Sequence, residues 1–475
     1  MMVRVGLLGA PPPEWASLRR TYDCYRRALS RDFDLRLLGT ASDASGLSLD
    51  VLIGFWGSQI WDSAPVPAVP RMVCLHGGAV VNYPTLPSLL SRLTDRDVIL
   101  CNCSSDVAVL HSLLPRPPRP RSVVLSLPVA PGLNPRPRTA ARSALGLPPD
   151  ALVLGFVGRL IAQKGLHYFL RTLAHCRRLL PARVHGLVVG DFWAGYGLLN
   201  FLGDRYRDYV VGQMVRDGLV EAVTFRSSAE DDDVLADYYA AMDLLVHPTT
   251  SVDENFGYVP LEALACGRPV VACAYGGLKD TVAEVHETAS VPTWSTSAGL
   301  RFDLAGLREH TVRLLGDEHL RDDVVVSGQK LVATRYSFTA FADDLSRAVR
   351  EAVRWHREGG PPVPAQANHP PMPPTVSHLP RTSPDWTALR PAVDHFVSRS
   401  ISSAGDDGVA VYSWPDLERR RNGDCLIHDP AWPGTVPLSA DAWRALDDTR
   451  SFPRPMRRSL LESGVLAWSE RSDAA

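Results

Sequence analysis

Lysine is nearly missing from this chain of 475 residues: Lys164, Lys279 and Lys330 are the three among fifty basic residues, the rest being arginine. That bias makes a lysine at a motif position informative. A net charge is missing too, since the formal balance is −2 with histidine neutral, so nothing draws the whole chain to nucleic acid or to an anionic membrane. No apolar run approaches the roughly 20 residues that span a bilayer. The start, MMVRVGLLGAPPPEW, is too short in its apolar part for a secretory signal and reads as a first strand, which makes the cytoplasm the expected compartment. No CxxC pair occurs. The cysteines are Cys24, Cys74, Cys101, Cys103, Cys176, Cys266, Cys273 and Cys425, and without a set of nearby histidines they read as small buried hydrophobes.

What is present is the composition of a globular protein, 45% apolar and 21% charged. At about 150 residues per domain, the length suggests two or three domains. Residues 3–9, 51–55, 71–75, 97–101 and 122–127 read as short strands apolar on both faces, with helix patterns at Ser17–Phe33 and Leu86–Leu93. The alternation restarts with strands at 151–158, 185–190, 222–227, 244–249 and 268–274, and helices at Gly165–Leu180 and Asp232–Ala241. Two such sets predict an α/β protein of two Rossmann-like lobes, 1–140 and 145–335, facing a cleft that is the default ligand site. Residues 358–384 are dense in proline and read as an extended linker. Beyond them, 385–475 reads as a small α+β accessory domain without a catalytic motif. Its LSADAWRAL and LLESGVL resemble winged-helix-like modules that bind peptide or carrier partners, with self-association or packing against the cleft the plainer alternative.

Three segments carry chemistry. In GFVGRLIAQKG, Arg159 and Lys164 follow a buried strand, where a planar fork and a compact ammonium can hold phosphate, or else remain solvated loop cations. In SVDENFGYVPLEALACG, Glu254 and Glu262 stand eight residues apart around a helix start near Phe256. Free N–H groups there favour an anion, and Gly257 lets backbone approach a ligand. Glu254 suits a sugar hydroxyl or a favourable helix-start charge. Glu262 interrupts an apolar run and suits a vicinal diol such as ribose. In AYGGLKDTV, Gly276 and Gly277 open another helix start or simply make a turn.

Together, GFVGRL…QKG, ENFGYVPLEALACGRPVVA and the GG pair resemble the retaining glycosyltransferases of glycosyltransferase family 4, which have the GT-B fold. The likeness is specific across 151–285. It is looser in the first lobe, where LHGG around His76 resembles the acceptor-side histidine. Residues 336–353 resemble the final helix that returns to the first lobe, so that 336–357 would complete it. The resemblance implies Arg159 and Lys164 on the donor diphosphate, and Glu254, Asn255, Phe256, Gly257 and Tyr258 by the donor sugar. It places Glu262 on the ribose and His76 near the reacting centre, with catalysis resting on Glu254, His76, Lys164 and Arg159. It also implies front-face transfer with retention, a nucleotide-diphosphate sugar as co-substrate, no required cofactor and no metal.

The chain departs from the pattern at two places. Gly9 stands alone before three prolines where relatives carry a Gly-Gly loop, and VTFRSS puts Arg226 where a glycine often follows the base-reading strand. Gly9 and Arg226 are the donor-side candidates there, with the base unassigned. Asp231–Asp233 resemble a metal-binding DxD but read better as helix-start acids. The arginine-rich helix Ser17–Phe33 reads as a lobe helix with a solvated face before it reads as a membrane contact. The expectation is therefore a glycosyltransferase acting on a natural product, peptide or glycan. The alternative is a glycosyltransferase-like subunit that binds a partner without catalysis.

Overall fold

The computed structural model describes residues 2–11, 16–55, 69–194, 202–368, 386–401, 410–446 and 453–469. The chain divides into two compact units. One joins the residues up to Pro131 with those from Leu331 to 368, and the other joins Gly132–Lys330 with the described residues after 385.

The first unit is built on a parallel sheet of β1 (Arg4–Leu8), β2 (Asp34–Leu38), β3 (Val51–Gly54), β4 (Arg71–Cys74), β5 (Val98–Cys101) and β6 (Arg121–Val124). Its order is β2-β1-β3-β4-β5-β6. VLIG and VILC form central strands because all their residues can be buried on both faces, as parallel sheets require. The edge strand β2, DLRLL, leaves Arg36 and Leu37 exposed. The helix Phe338–Glu358 belongs to this unit, starting at Ser337, whose hydroxyl accepts from the Ala340 amide at 3.2 Å. It packs on the helix Ala16–Asp32. Phe341 meets the edge of Tyr25 at 5.2 Å, and Arg31 pairs with Asp343 at 2.6 Å. Part of that helix's basic face is thus engaged, with Arg27 lying over the Phe338 ring. The described start of the proline-rich stretch is docked on the same unit, through the amides of Ala365 on Leu93 O and Asn368 on Leu113 O, both 2.8 Å. Residues 369–384 of the expected linker lie outside the described residues.

The second unit carries β7 (Leu152–Val157), β8 (Val184–Val189), β9 (Val223–Arg226), β10 (Leu244–His247), β11 (Val270–Cys273) and β12 (Ser290–Val291). The order β12-β11-β10-β7-β8-β9 reverses direction between β7 and β10. That reversal is the topological switch point, where loops leaving two neighbouring strands diverge and open a crevice. The loop with Arg159 and Lys164 follows β7, and the loop with Glu254 follows β10. Asp231 begins the helix Asp232–Ala241 by accepting from the amides of Asp233 and Val234, so these acids are a helix cap in the structure.

The C-terminal segment supplies small sheet elements that pack within this unit. The hairpin β13 (Thr293–Thr296) and β14 (Gly299–Phe302) meets the pair β15 (Ala410–Ser413) and β19 (Leu466–Ser469), while β16 (Leu417–Arg419), β17 (Asp424–Ile427) and β18 (Gly434–Pro437) form a meander. Trp294 of β13 stacks on Trp468 of β19 at 3.8 Å. Tyr168, from the helix Leu166–Leu179, donates its hydroxyl to Asp429 at 2.6 Å. Asp429 is fully enclosed, also facing Arg301 at 3.4 Å and His167 at 3.6 Å. Such a buried acid persists only because cationic and hydroxyl partners surround it. None of the eight cysteines forms a disulfide, and all but Cys24 are buried.

Candidate active site

The loop after β7 turns through the short 3-10 helix Ala162–Lys164 and packs on the loop after β10. The amide of Thr250 donates to Gln163 O at 2.8 Å, and that of Val252 to Gln163 Oε1 at 3.3 Å. Pairing of β7 with β10 brings the two loops side by side. Their charges then meet: Lys164 Nζ lies 2.6 Å from Glu254 Oε2, and Arg159 pairs with Asp253. Ser251 Oγ donates to Asp253 Oδ1 at 2.5 Å. His247, the last residue of β10, sets Nε2 3.3 Å from the same Glu254 oxygen.

Burial pushes the Glu254 carboxyl up, but Lys164 and His247 more than offset it and hold it well below the usual carboxylate range. Asp253 follows the same logic, with burial opposed by Arg159 and Lys164. Both are ionised at neutral pH. The loop is therefore a charge-balanced cluster of two cations and two carboxylates, able to bind a diphosphate through the cations or hydroxyls through the carboxylates.

Helix Tyr258–Ala265 begins at Gly257, in the left-handed region with φ 86°. A Cβ there would stand 2.2 Å from Leu278 Cδ2. Phe256 and Tyr258 meet edge to face at 4.8 Å. Glu262, on the same helix and buried, accepts from Tyr239 Oη at 2.7 Å. The third loop locks in from behind, because Gly277 donates its N–H to Glu254 O at 3.3 Å. Gly276 has φ 56°, and a Cβ on it would lie 1.9 Å from that same carbonyl. The glycine pair is explained by this close backbone approach; the helix it opens, Leu278–Thr281, is a single turn. Gly276 N–H in turn reaches Phe396 O at 2.9 Å, and Lys279 Nζ donates to the carbonyls of His395 (2.8 Å) and Val397 (3.2 Å). The C-terminal segment thus braces the backbone of the Glu254 loop.

Of the residues expected at a site, Arg159, Lys164, Glu254, Asn255, Phe256 and Gly257 lie in the adjoining loops after β7 and β10, and Tyr258 and Glu262 on the helix that follows. Arg226 is engaged elsewhere, its guanidinium donating to the carbonyls of Phe225 at 2.8 Å and Leu145 at 2.6 Å. Gly9 and His76 lie in the first unit, just past β1 and β4. Gly9 donates to Leu38 O. His76 is buried against Phe55, with ring centroids 4.3 Å apart, and burial pushes its imidazole down to about 3, so it is neutral. Its Nε2 is buried and has no hydrogen-bond partner among the described residues. Sequence reasoning did not name His247, Asp253, Gln163 or Tyr239. The first three sit in or beside motif segments, where a titratable or amide side chain close to a strand end was the available signal. Tyr239, within a helix, had none.

Residues 151–317 match the family described as Glycosyl transferases group 1. Among curated relatives, the D-inositol 3-phosphate glycosyltransferase of Stackebrandtia nassauensis is 37% identical over 322 residues, 63% of this chain and 67% of that one. Its counterpart in Segniliparus rotundus is 32% identical over 318 residues, 63% and 64% of the two chains. The chain thus spans about two thirds of the length of these relatives. Among solved structures, sucrose-phosphate synthase from Thermosynechococcus elongatus aligns with a TM-score of 0.56 at 18% identity, over 74% of this chain and 98% of that one. Anabaena Alr3699/HepE, in complex with UDP, aligns at 0.52 and 18%, over 74% and 100%. At these identities the structural likeness establishes the GT-B fold.

Proposed function

Because the chain belongs to the group 1 glycosyl transferases, family 4 enzymes of GT-B fold, we propose that it moves a sugar from a nucleoside diphosphate sugar to a hydroxyl-bearing acceptor with retention of configuration. The observation that carries this reading is the buried Lys164–Glu254 pair, set at the switch point with Arg159 paired to the neighbouring Asp253 and Glu262 buried on the helix that follows. In the proposed reaction, the bond from the anomeric carbon to the diphosphate breaks as the acceptor oxygen forms its bond on the same face. The departing phosphate oxygen takes the acceptor proton. Arg159 and Lys164 stabilise the charge that builds on the diphosphate, which is worth most in a water-poor site. Glu254 orients the donor sugar and Glu262 the ribose, each trading an internal partner for a ligand hydroxyl. Two carboxylates flanking the scissile bond would instead suit a hydrolase; here Glu254 is committed to Lys164 and His247.

The names of the two curated relatives make an inositol phosphate the first acceptor to try, and the UDP held by HepE makes UDP-sugars the first donors. The test is release of nucleoside diphosphate from a panel of donors and acceptors, with product anomers read by NMR. Glu254→Ala and Lys164→Ala should abolish turnover, and His76→Ala probes the first unit. Tight nucleotide binding with no turnover on any pair would instead support a non-catalytic subunit.

A further inference from the structure

A concavity of about 560 Å³ in the second unit shares no residue with the loops described above. Arg171 and Arg178 reach it from the helix Leu166–Leu179, Arg216 from the helix Arg205–Arg216, and Arg308 from the helix Leu304–Gly316. The C-terminal segment closes it with Asp416, next to β16. Asp416 stands in the left-handed region at φ 65°, a conformation unfavourable for a non-glycine residue, and pairs with Arg171. Apart from Asp416, the acid lining the site is Asp217.

Four guanidinium groups therefore face two carboxylates. Among the described residues, Arg178, Arg216 and Arg308 have no carboxylate within ion-pair distance. Arg308 is half-buried, its Nε is enclosed without a hydrogen-bond partner, and burial together with Arg171 and Arg178 pushes its pKa down. Arginine cannot shed its proton to relieve this. A partly desolvated cation held beside two others is unfavourable unless an anion joins them.

We propose that this pocket is a binding site for a small phosphate-bearing anion carrying at least two negative charges, separate from the donor site. Guanidinium forks match phosphate oxygens in pairs, and the volume lies within the range of small-molecule sites. The site exists only because the C-terminal segment is docked, since Asp416 orients Arg171 and the β16–β17 edge forms one wall.

Inorganic tripolyphosphate, titrated calorimetrically into the full-length chain at low salt, tests this. Lys164→Ala, which damages the donor site, should still bind it. Arg308→Ala and the exposed Arg178→Ala should each weaken binding about tenfold or more, as loss of a charged hydrogen bond does. Arg308→Lys should fall between, and Arg178→Ala keeps the test valid should Arg308→Ala fail to fold. The proposal is overturned if Lys164→Ala abolishes binding while the arginine variants retain it, or if no saturable binding occurs. Equal weakening by Arg36→Ala, an exposed arginine of the first unit, would reduce the effect to net charge and overturn it as well. Because Lys164→Ala separates the two sites, failure here leaves the transferase reading intact.

Discussion

Lys164 and Glu254 form an ion pair at 2.6 Å with both side chains only 10% exposed. Removing one member of such a pair strands the other charge out of water, at about 3–5 kcal/mol. Lys164→Ala should lower the stability measured by urea unfolding by that order. The double variant Lys164→Met with Glu254→Gln should recover much of it while remaining inactive. A loss under about 1 kcal/mol in the single variant, the range of surface pairs, would show that water reaches the pair.

Asp429 titrates where its loss can be followed. Burial pushes the carboxyl up, and His167 and Arg301 outweigh it, leaving it at about 2. Its folded pKa lies below the ordinary aspartate value, so its stabilising contribution is complete above about pH 4 and fades as pH falls toward 2. The gap in unfolding free energy between the wild type and Asp429→Asn should hold from pH 7 to about 4 and narrow below. A gap that widened on acidification would contradict this arrangement.

Gly276 and Gly46 separate close approach from backbone preference. Both have positive φ, but a Cβ on Gly46 meets nothing, whereas one on Gly276 strikes Glu254 O. Gly46→Ala should cost about 1 kcal/mol. Gly276→Ala should cost several times more and reduce transferase activity with it. Matching melting temperatures for the two variants would refute the clash.

Lys279 offers a test of the brace behind the site. Lys279→Met frees the carbonyls of His395 and Val397 without touching Glu254 or Lys164. We expect kcat to fall by about tenfold, some 1.4 kcal/mol, with a smaller change in donor KM, and partial rescue by Lys279→Arg. Unchanged kcat would make the contact purely structural.

Ending the chain at residue 368 should do more than remove an appendage. Trp294, Phe302 and Arg301, all buried, would lose Trp468, Trp414 and Asp429. The shortened chain should aggregate or unfold at lower denaturant; a fully stable, active product would contradict this.

Much of the architecture was legible because parallel strands buried on both faces, such as VLIG and LVLGFV, announce themselves as continuous apolar runs. Strand β2 was not, since at the sheet edge DLRLL can carry Asp34 and Arg36 at little cost. The helix Asp232–Ala241 and the start of Leu166–Leu179 were legible from local cap and turn chemistry. Among the candidate-site residues, Glu262 stood out as a carboxylate inside an apolar run, and Glu254 as an acid just before a helix start. The partner Tyr239 was not legible, because pairing across separate elements leaves no local trace, and His247, at a strand end, carried a signal only of its position. The same applies to the C-terminal segment. Proline density marks a break in local structure, but nothing near Asp429 or Trp468 in the sequence points to Arg301 or Trp294.

The path of the chain also sets an order for its synthesis. Residues 331–368 complete the first unit only after Gly132–Lys330 of the second has been made, and β19, which covers Trp294, follows more than 150 residues after Trp294 itself. Neither unit can close its core while emerging in a single pass from the ribosome. Contacts between residues so far apart in sequence slow folding and prolong exposure of apolar surface, so nascent chains of this protein should depend on chaperones until β19 has emerged.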